Sequence, residues 1–255
     1  MVELSRKQRE IERRTAEILR VSKPILVREG FHALSMDRVA ADMEYAKGTI
    51  YNHFPHKEEI VLALAFESME LRRKLFEHAV AYPRSTRFRM MAIGTACEFY
   101  TRHCIEDFVI EQWVRNANVW DKSTQKRQEL IRQCEASCMA IVSSVIHHGI
   151  AVSELPRSDA LPPEEMVFGL WAINFGSQIL MASSPSLSAL GVHDPIRSIR
   201  VHCCTLLNGF DWAPHMPVEN YLTTADQMNT ELFPQFHILR EKHFQMTNVA
   251  TLAST

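Results

Sequence analysis

The chain is 255 residues long, 46% hydrophobic, with a formal net charge of −2 and six cysteines. A near-neutral balance excludes binding to nucleic acid through bulk positive charge, but not a site-specific reader, which needs cations on one surface only. The most apolar run, Met166 to Met181, is interrupted by Asn174, Ser177 and Gln178. It falls short of the roughly 20 apolar residues of a membrane span and reads as a buried helix.

Residues 1–10 are polar and carry Arg6, Lys7 and Arg9. They suit either a basic arm along a nucleic-acid groove or a solvated terminus. A charged start with no apolar core region is not a secretory signal, so free thiols and a cytoplasmic location are expected.

The first helix is expected from about Gln8 to Glu29, with Ile11, Thr15, Ile18, Leu19, Ser22, Ile25 and Leu26 on one face and Gly30 as its stop. Pro24 lies inside it. A proline there removes one backbone hydrogen bond and crowds the carbonyl of Arg20, at roughly 3 kcal/mol, which predicts a kink or short break.

The chain is organised around Ser35 to Lys57. Ser35 can cap a short helix, Asp37 suits its positive end, and Val39, Ala40 and Met43 give it one apolar face. Glu44 and Tyr45 make a tight connection to a second short helix over about Ala46–His53, which Phe54-Pro55 ends. Ile50 and Phe54 are its apolar contact; Lys47, Gly48, Thr49, Tyr51, Asn52 and His53 form the rest of its surface. Short donors, an aromatic hydroxyl and a cation suit phosphates and base edges in a major groove. Lys57, opening the next helix, can reach a flanking phosphate.

This segment, with Glu29-Gly30-Phe31 before it, resembles the DNA-binding signature of the tetracycline-repressor (TetR) family of bacterial regulators over about residues 11–70. The resemblance implies an all-α protein: a three-helix helix-turn-helix head on a larger helical body that binds a ligand and forms a homodimer. Carried over by position, it makes Ser35, Lys47, Gly48, Thr49, Tyr51, His53 and Lys57 the DNA contacts, with Tyr51 and His53 holding phosphates. Two positions depart from the family pattern: Glu44 replaces the usual glycine, and Ala46 replaces the usual serine or threonine cap.

The next helix is expected over about Lys57–Ala81, near 37 Å long at about 1.5 Å per residue, and able to link head and body. Further helices are expected at about 85–103, 106–117, 122–149, 163–183, 194–210 and 220–232, with loops at 150–163, 184–194 and 211–217 and a tail from Pro234. The domains are then 1–56 for DNA binding, 57–233 for ligand binding and dimerisation, and 234–255 as the C-terminal tail, the last ten residues of it disordered.

The body is rich in methionine and aromatics. Met91, Phe99, Trp113, Cys138, Trp171, Asn174, Phe175 and Gln178 are candidates to line a ligand cavity, since methionine adapts its shape and buried amides need polar partners. The same stripe also suits plain core. Gly169, Ala172, Gly176 and Ser183 allow close helix approach, and Ile196, Ile199, Cys203, Leu207 and Phe210 face one way on the following helix. Helices 163–183 and 194–210 are therefore the expected dimer interface, the alternative being burial within one subunit.

The leading reading is a non-enzymatic, sequence-specific transcriptional regulator: a repressor on a palindromic operator, released by a small apolar ligand, with no cofactor and no bound metal. The alternative is a metal- or thiol-redox-responsive regulator on the same scaffold, using Cys134 and Cys138 at i, i+4 or the His/Cys clusters at 103–104, 147–148 and 202–204. No nucleophile elbow, phosphate-cradling glycine loop or HExxH motif is found.

Overall fold

The computed structural model describes residues 5–183 and 187–234, and every regular element among them is helical. In chain order these are α1 (Arg6–Glu29), α2 (Met36–Asp42), α3 (Lys47–His53), α4 (Lys57–Val80), α5 (Thr86–His103), α6 (Ile105–Gln112), α7 (Ala117–Asp121), α8 (Gln125–Ala151), α9 (Pro163–Ser183), α10 (Pro195–Gly209) and α11 (Val218–Leu232). Single 3-10 turns lie at Trp113–Arg115 and Ser188–Leu190. The expected tail and residues 184–186 lie outside the described residues, apart from Pro234. The chain groups into two compact units: residues up to 74 with 100–138, and residues 75–99 with those from 139 onward.

In the first unit, the Ser5 hydroxyl caps α1 by accepting the Gln8 N–H at 3.2 Å. The helix ends at Gly30, whose φ of 85° favours glycine. The expected break at Pro24 does not occur: α1 is continuous from Arg6 to Glu29. Pro24 and Arg20 both face solvent, while Ile18, Leu19, Ser22, Ile25 and Leu26 are buried opposite. Water can therefore serve the Arg20 carbonyl, and packing holds the far side of the helix. Ile11 is not part of that face; it is 47% exposed.

One core joins α1–α4 to α6–α8. Ile18, Leu34, Val39, Ile50, Phe54, Ile60 and Val61 share it with Ile110, Val114, Val119, Ile131 and Cys134. The single helix expected over 106–117 is instead α6, a 3-10 turn and α7. The break falls at Asn116, whose side-chain oxygen accepts the Asn118 N–H at 3.1 Å and opens a new helix instead of continuing the old one.

In the second unit, Trp212 is fully buried and donates its indole N–H to Thr86 Oγ1 at 2.9 Å. Arg87, also fully buried, donates to the Trp212 carbonyl at 2.6 Å and to Asn208 Oδ1 at 2.7 Å. Arg200 pairs with Glu98 at 2.9 Å and Asp226 at 2.7 Å, tying α5, α10 and α11. Just past α11, the buried Phe233 packs on Phe99 with ring centroids 4.8 Å apart.

Candidate nucleic-acid interface

The surface that could meet DNA is built by α2, α3 and the start of α4. Ser35 caps α2 as its sequence implies, accepting the Arg38 N–H at 3.2 Å. The turn between α2 and α3 passes through Glu44 at φ 54°, a left-handed conformation that L side chains avoid at about 1–2 kcal/mol. The departure from glycine is thus met by strain and not by a different turn.

Helix α3 rests on the core through Ile50 and Phe54, 0% and 1% exposed. With those two residues fixed inward, the 3.6-residue period turns the others out: Lys47, Gly48, Tyr51 and Asn52 are exposed, and Thr49 and His53 half-buried. The turn before α3 and its last residue are also tied to α1. The Tyr45 hydroxyl donates to Glu17 Oε2 at 3.1 Å, and Thr15 Oγ1 meets His53 Nδ1 at 3.0 Å. Neither Glu17 nor Thr15 stood out in the sequence as a support of α3, because nothing in local spacing pairs residues that far apart.

The His53 contact carries chemistry. The Thr15 hydroxyl donates to the Ile11 carbonyl at 2.9 Å, so the imidazole Nδ1–H is the donor to Thr15. Neutral His53 then offers only an acceptor at Nε2, and it can donate to a phosphate only after protonation. Burial, with the Arg14 charge second, lowers the His53 pKa.

The two lysines differ. Lys47 is exposed and pairs with Asp37 at 2.6 Å; both side chains are more than half exposed, so the pair is weak and exchangeable for a phosphate. Lys57 is half-buried: its ammonium donates to the Phe31 carbonyl at 3.0 Å and lies 4.0 Å from the Phe31 ring centroid. An ammonium has three donors, so this anchor leaves others for an anion.

Residues 18–64 match the family model described as bacterial regulatory proteins, tetR family. The chain is 28% identical over 150 residues to an uncharacterized HTH-type transcriptional regulator, YhgD, of Bacillus subtilis strain 168, a match covering 57% of this chain and 71% of the relative. Among solved structures, a tetR-family regulatory protein from Rhodococcus RHA1 aligns with a TM-score of 0.59 at 16% identity, over 78% of this chain and 97% of its own. A putative transcriptional regulator from Saccharomonospora viridis, solved in complex with choline, aligns with a TM-score of 0.59 at 16% identity, over 77% and 96%. The family model covers α2, α3 and the adjoining parts of α1 and α4. With these structures the chain shares the all-α architecture of a helix-turn-helix head and a helical body.

The cap usual in the tetR family model's proteins is missing here, as the sequence indicates. Ala46 has the extended backbone of a cap, φ −63° and ψ 140°, but makes no side-chain bond to the first turn of α3.

The body candidates do not come together as one set. Trp113 and Cys138 belong to the first unit; Met91, Phe99, Trp171, Asn174, Phe175 and Gln178 belong to the second. Trp113 packs on Phe31, centroids 5.2 Å apart, against the core shared by α1–α4 and α6–α8. Cys138 is fully buried beside Arg72, which pairs with Glu111 at 2.7 Å. Tyr100 donates to the same Glu111 at 2.6 Å; burial raises the Glu111 pKa against the opposing pull of Arg72.

In the second unit, Met91 and Phe99 are buried, Phe99 against Phe233. Asn174 donates to the Leu170 carbonyl at 2.9 Å, and Gln178 to the Cys97 carbonyl at 3.5 Å, so both amides have partners within the unit. Trp171 is 38% exposed.

The expected dimer helices also behave unequally. On α10, Cys203 and Leu207 are buried, as is Phe210 just past its end, while Ile196 and Ile199 are half-buried. On α9, Phe168 and Leu180 are 62% and 57% exposed; the Trp171 ring lies 6.3 Å from that of Phe168, and Ala172 is exposed. The Ser183 side chain lies outside what is described.

Proposed function

We propose that this chain is a TetR-family regulator, a homodimeric repressor of a palindromic operator, released when a small apolar ligand binds its helical body. The observation that carries the DNA-binding half is α3: a short helix fixed from behind by Ile50 and Phe54, with Lys47, Tyr51 and Asn52 outward. Ser35, Lys47, Gly48, Thr49, Tyr51, Asn52, His53 and Lys57 are the contacts of this reading. A dimer would set two such helices in successive major grooves, about 34–36 Å apart. Mobility shifts on DNA flanking the protein's own gene test it. Binding that Tyr51→Ala and Lys47→Ala leave unchanged would refute it.

The dimer half rests on α9. Large exposed apolar side chains on one helix mark an association surface more often than a solvated one. The supporting residues are Phe168, Trp171 and Leu180, more than the small-residue stripe that the sequence suggested. Phe168→Glu should shift the protein toward monomer in sedimentation velocity; an unchanged dimer would place the interface elsewhere.

The ligand half rests on Met91, Trp171, Asn174, Phe175 and Gln178 of the second unit. The fold is shared with a regulator solved with a bound small molecule, which supports an effector of that general kind. Such a ligand acts only by binding one conformer better than the other; equal affinity shifts nothing. Native mass spectrometry of the purified protein would show a co-purified molecule. We also infer that the chain is not an enzyme and works in the cytoplasm, with residues 1–56, 57–233 and 234–255 as its functional divisions. A cell fractionation that finds the protein with the membranes would count against that location.

A further inference from the structure

We propose that the first turns of α1 extend the DNA interface beyond α3, with Lys7 and Arg14 holding phosphates that flank the bases read by the recognition helix. The inference rests on the reading of α3 as that helix. It starts from the face that α1 buries: Ile18, Leu19, Ser22, Ile25 and Leu26. At 3.6 residues per turn, Lys7, Ile11 and Arg14 lie within about 40° of Ile18 around the helix axis. Yet Lys7 is exposed, Ile11 is 47% exposed and Arg14 is only half-buried. The inward face of α1 thus runs on past the core as two cations about one exposed isoleucine.

This stretch is continuous with α3. Thr15 Oγ1 meets His53 Nδ1 at 3.0 Å, and Arg14 lies close enough for its charge to act on the His53 ring. From Thr15 back to Arg6 the helix runs about 13 Å further. Arg14 donates its Nε–H to Glu10 at 2.8 Å. A guanidinium has five N–H donors, so others remain for a phosphate. Among the described residues no ion pair holds Lys7.

Charge selects the occupant. From Arg6 to Thr15, Arg6, Lys7, Arg9, Arg13 and Arg14 stand against Glu10 and Glu12, in a chain whose formal net charge is −2. The first turn of α1 has no acidic residue, whereas α2 has Asp37 there and α4 has Glu58 and Glu59. Cations in a first turn oppose the positive end of the helix dipole, so helix stability does not account for them. Beside a phosphate backbone the same charges become favourable. An anionic membrane would also attract them, but a helix held there needs a broad apolar face, and this stretch offers Ile11 alone.

The test is fluorescence anisotropy of the full chain on duplexes from the DNA flanking its own gene, over a range of salt. Lys7→Ala and Arg14→Ala should each weaken binding and lower the slope of log affinity against log salt by about 1, with Tm unchanged. Arg14→Lys should keep the slope. Arg9→Ala removes the same charge from the opposite side of α1 and should leave the slope unchanged. In ethylation interference, the phosphates that cease to matter in Lys7→Ala should lie outside those that cease to matter in Lys47→Ala. If Lys47→Ala lowers the slope while Lys7→Ala and Arg14→Ala do not, the inference falls and the reading of α3 stands. The same holds if Arg9→Ala lowers the slope as much as they do. If the unmutated protein binds none of these duplexes, both fall.

Discussion

Replacing Ala46 with serine should make the recognition helix more persistent without touching its outward face. Helix α3 has seven residues, well below the length at which an isolated helix holds together, so its first-turn N–H groups matter. Ala46 already has cap geometry, and its carbonyl accepts the Thr49 N–H at 2.8 Å. A serine Oγ there could accept from the amide of Gly48 or Thr49 with no rearrangement of the backbone. Such a cap contributes about 1 kcal/mol, or about fivefold in the opening equilibrium of the helix. If α3 opens only with the whole unit, the same energy raises Tm by about 2–4 °C.

The assay is amide hydrogen exchange over 47–53, with a thermal melt alongside. Ser35→Ala is the matched reverse experiment, because Ser35 makes at α2 the bond that Ala46 lacks at α3. It should cost about 1 kcal/mol. If Ser35→Ala destabilises the head while Ala46→Ser leaves protection in α3 unchanged or lower, the capping argument fails.

Lys47→Ala should lower DNA affinity and reduce the slope of log affinity against log salt by about 1, since one phosphate contact is lost. Tyr51→Phe should weaken binding by about 2- to 10-fold with Tm unchanged, the effect of one hydrogen bond from a half-exposed hydroxyl. His53 should give opposite pH trends in two assays. Its folded pKa is lowered, so the unfolded state takes up the proton more readily, and stability should fall as pH drops through about 6.5 toward the folded value. DNA affinity should rise over the same range, because only the protonated ring can donate from Nε2; His53→Gln should flatten both curves in denaturation and anisotropy titrations. Gly149→Ala should destabilise despite a helix-propensity gain of about 1 kcal/mol, because overpacking costs about 1–3 kcal/mol. Its new Cβ would meet Thr86 Oγ1 at 3.0 Å and Trp212 Cε2 at 3.3 Å. Gly94→Ala, with nothing within 4 Å of the added Cβ, should instead raise Tm.

Short-range chemistry in the sequence was enough to place the helix-turn-helix. A serine cap, apolar residues at helical spacing and Phe54-Pro55 act over a single turn, and α2 and α3 form where those signals lie. The inward pair Ile50 and Phe54 was legible for the same reason. What decided the rest acts between residues far apart in the chain. Pro24 is tolerated because it faces water while the opposite face of α1 is packed. His53 is positioned by Thr15, 38 residues away. Cys203 and Leu207 of α10 are buried inside their own unit while α9 keeps Phe168 and Leu180 at the surface. Periodicity says that a helix has an apolar face. Which neighbour takes that face, or whether any does, depends on contacts that exist only once the chain has folded.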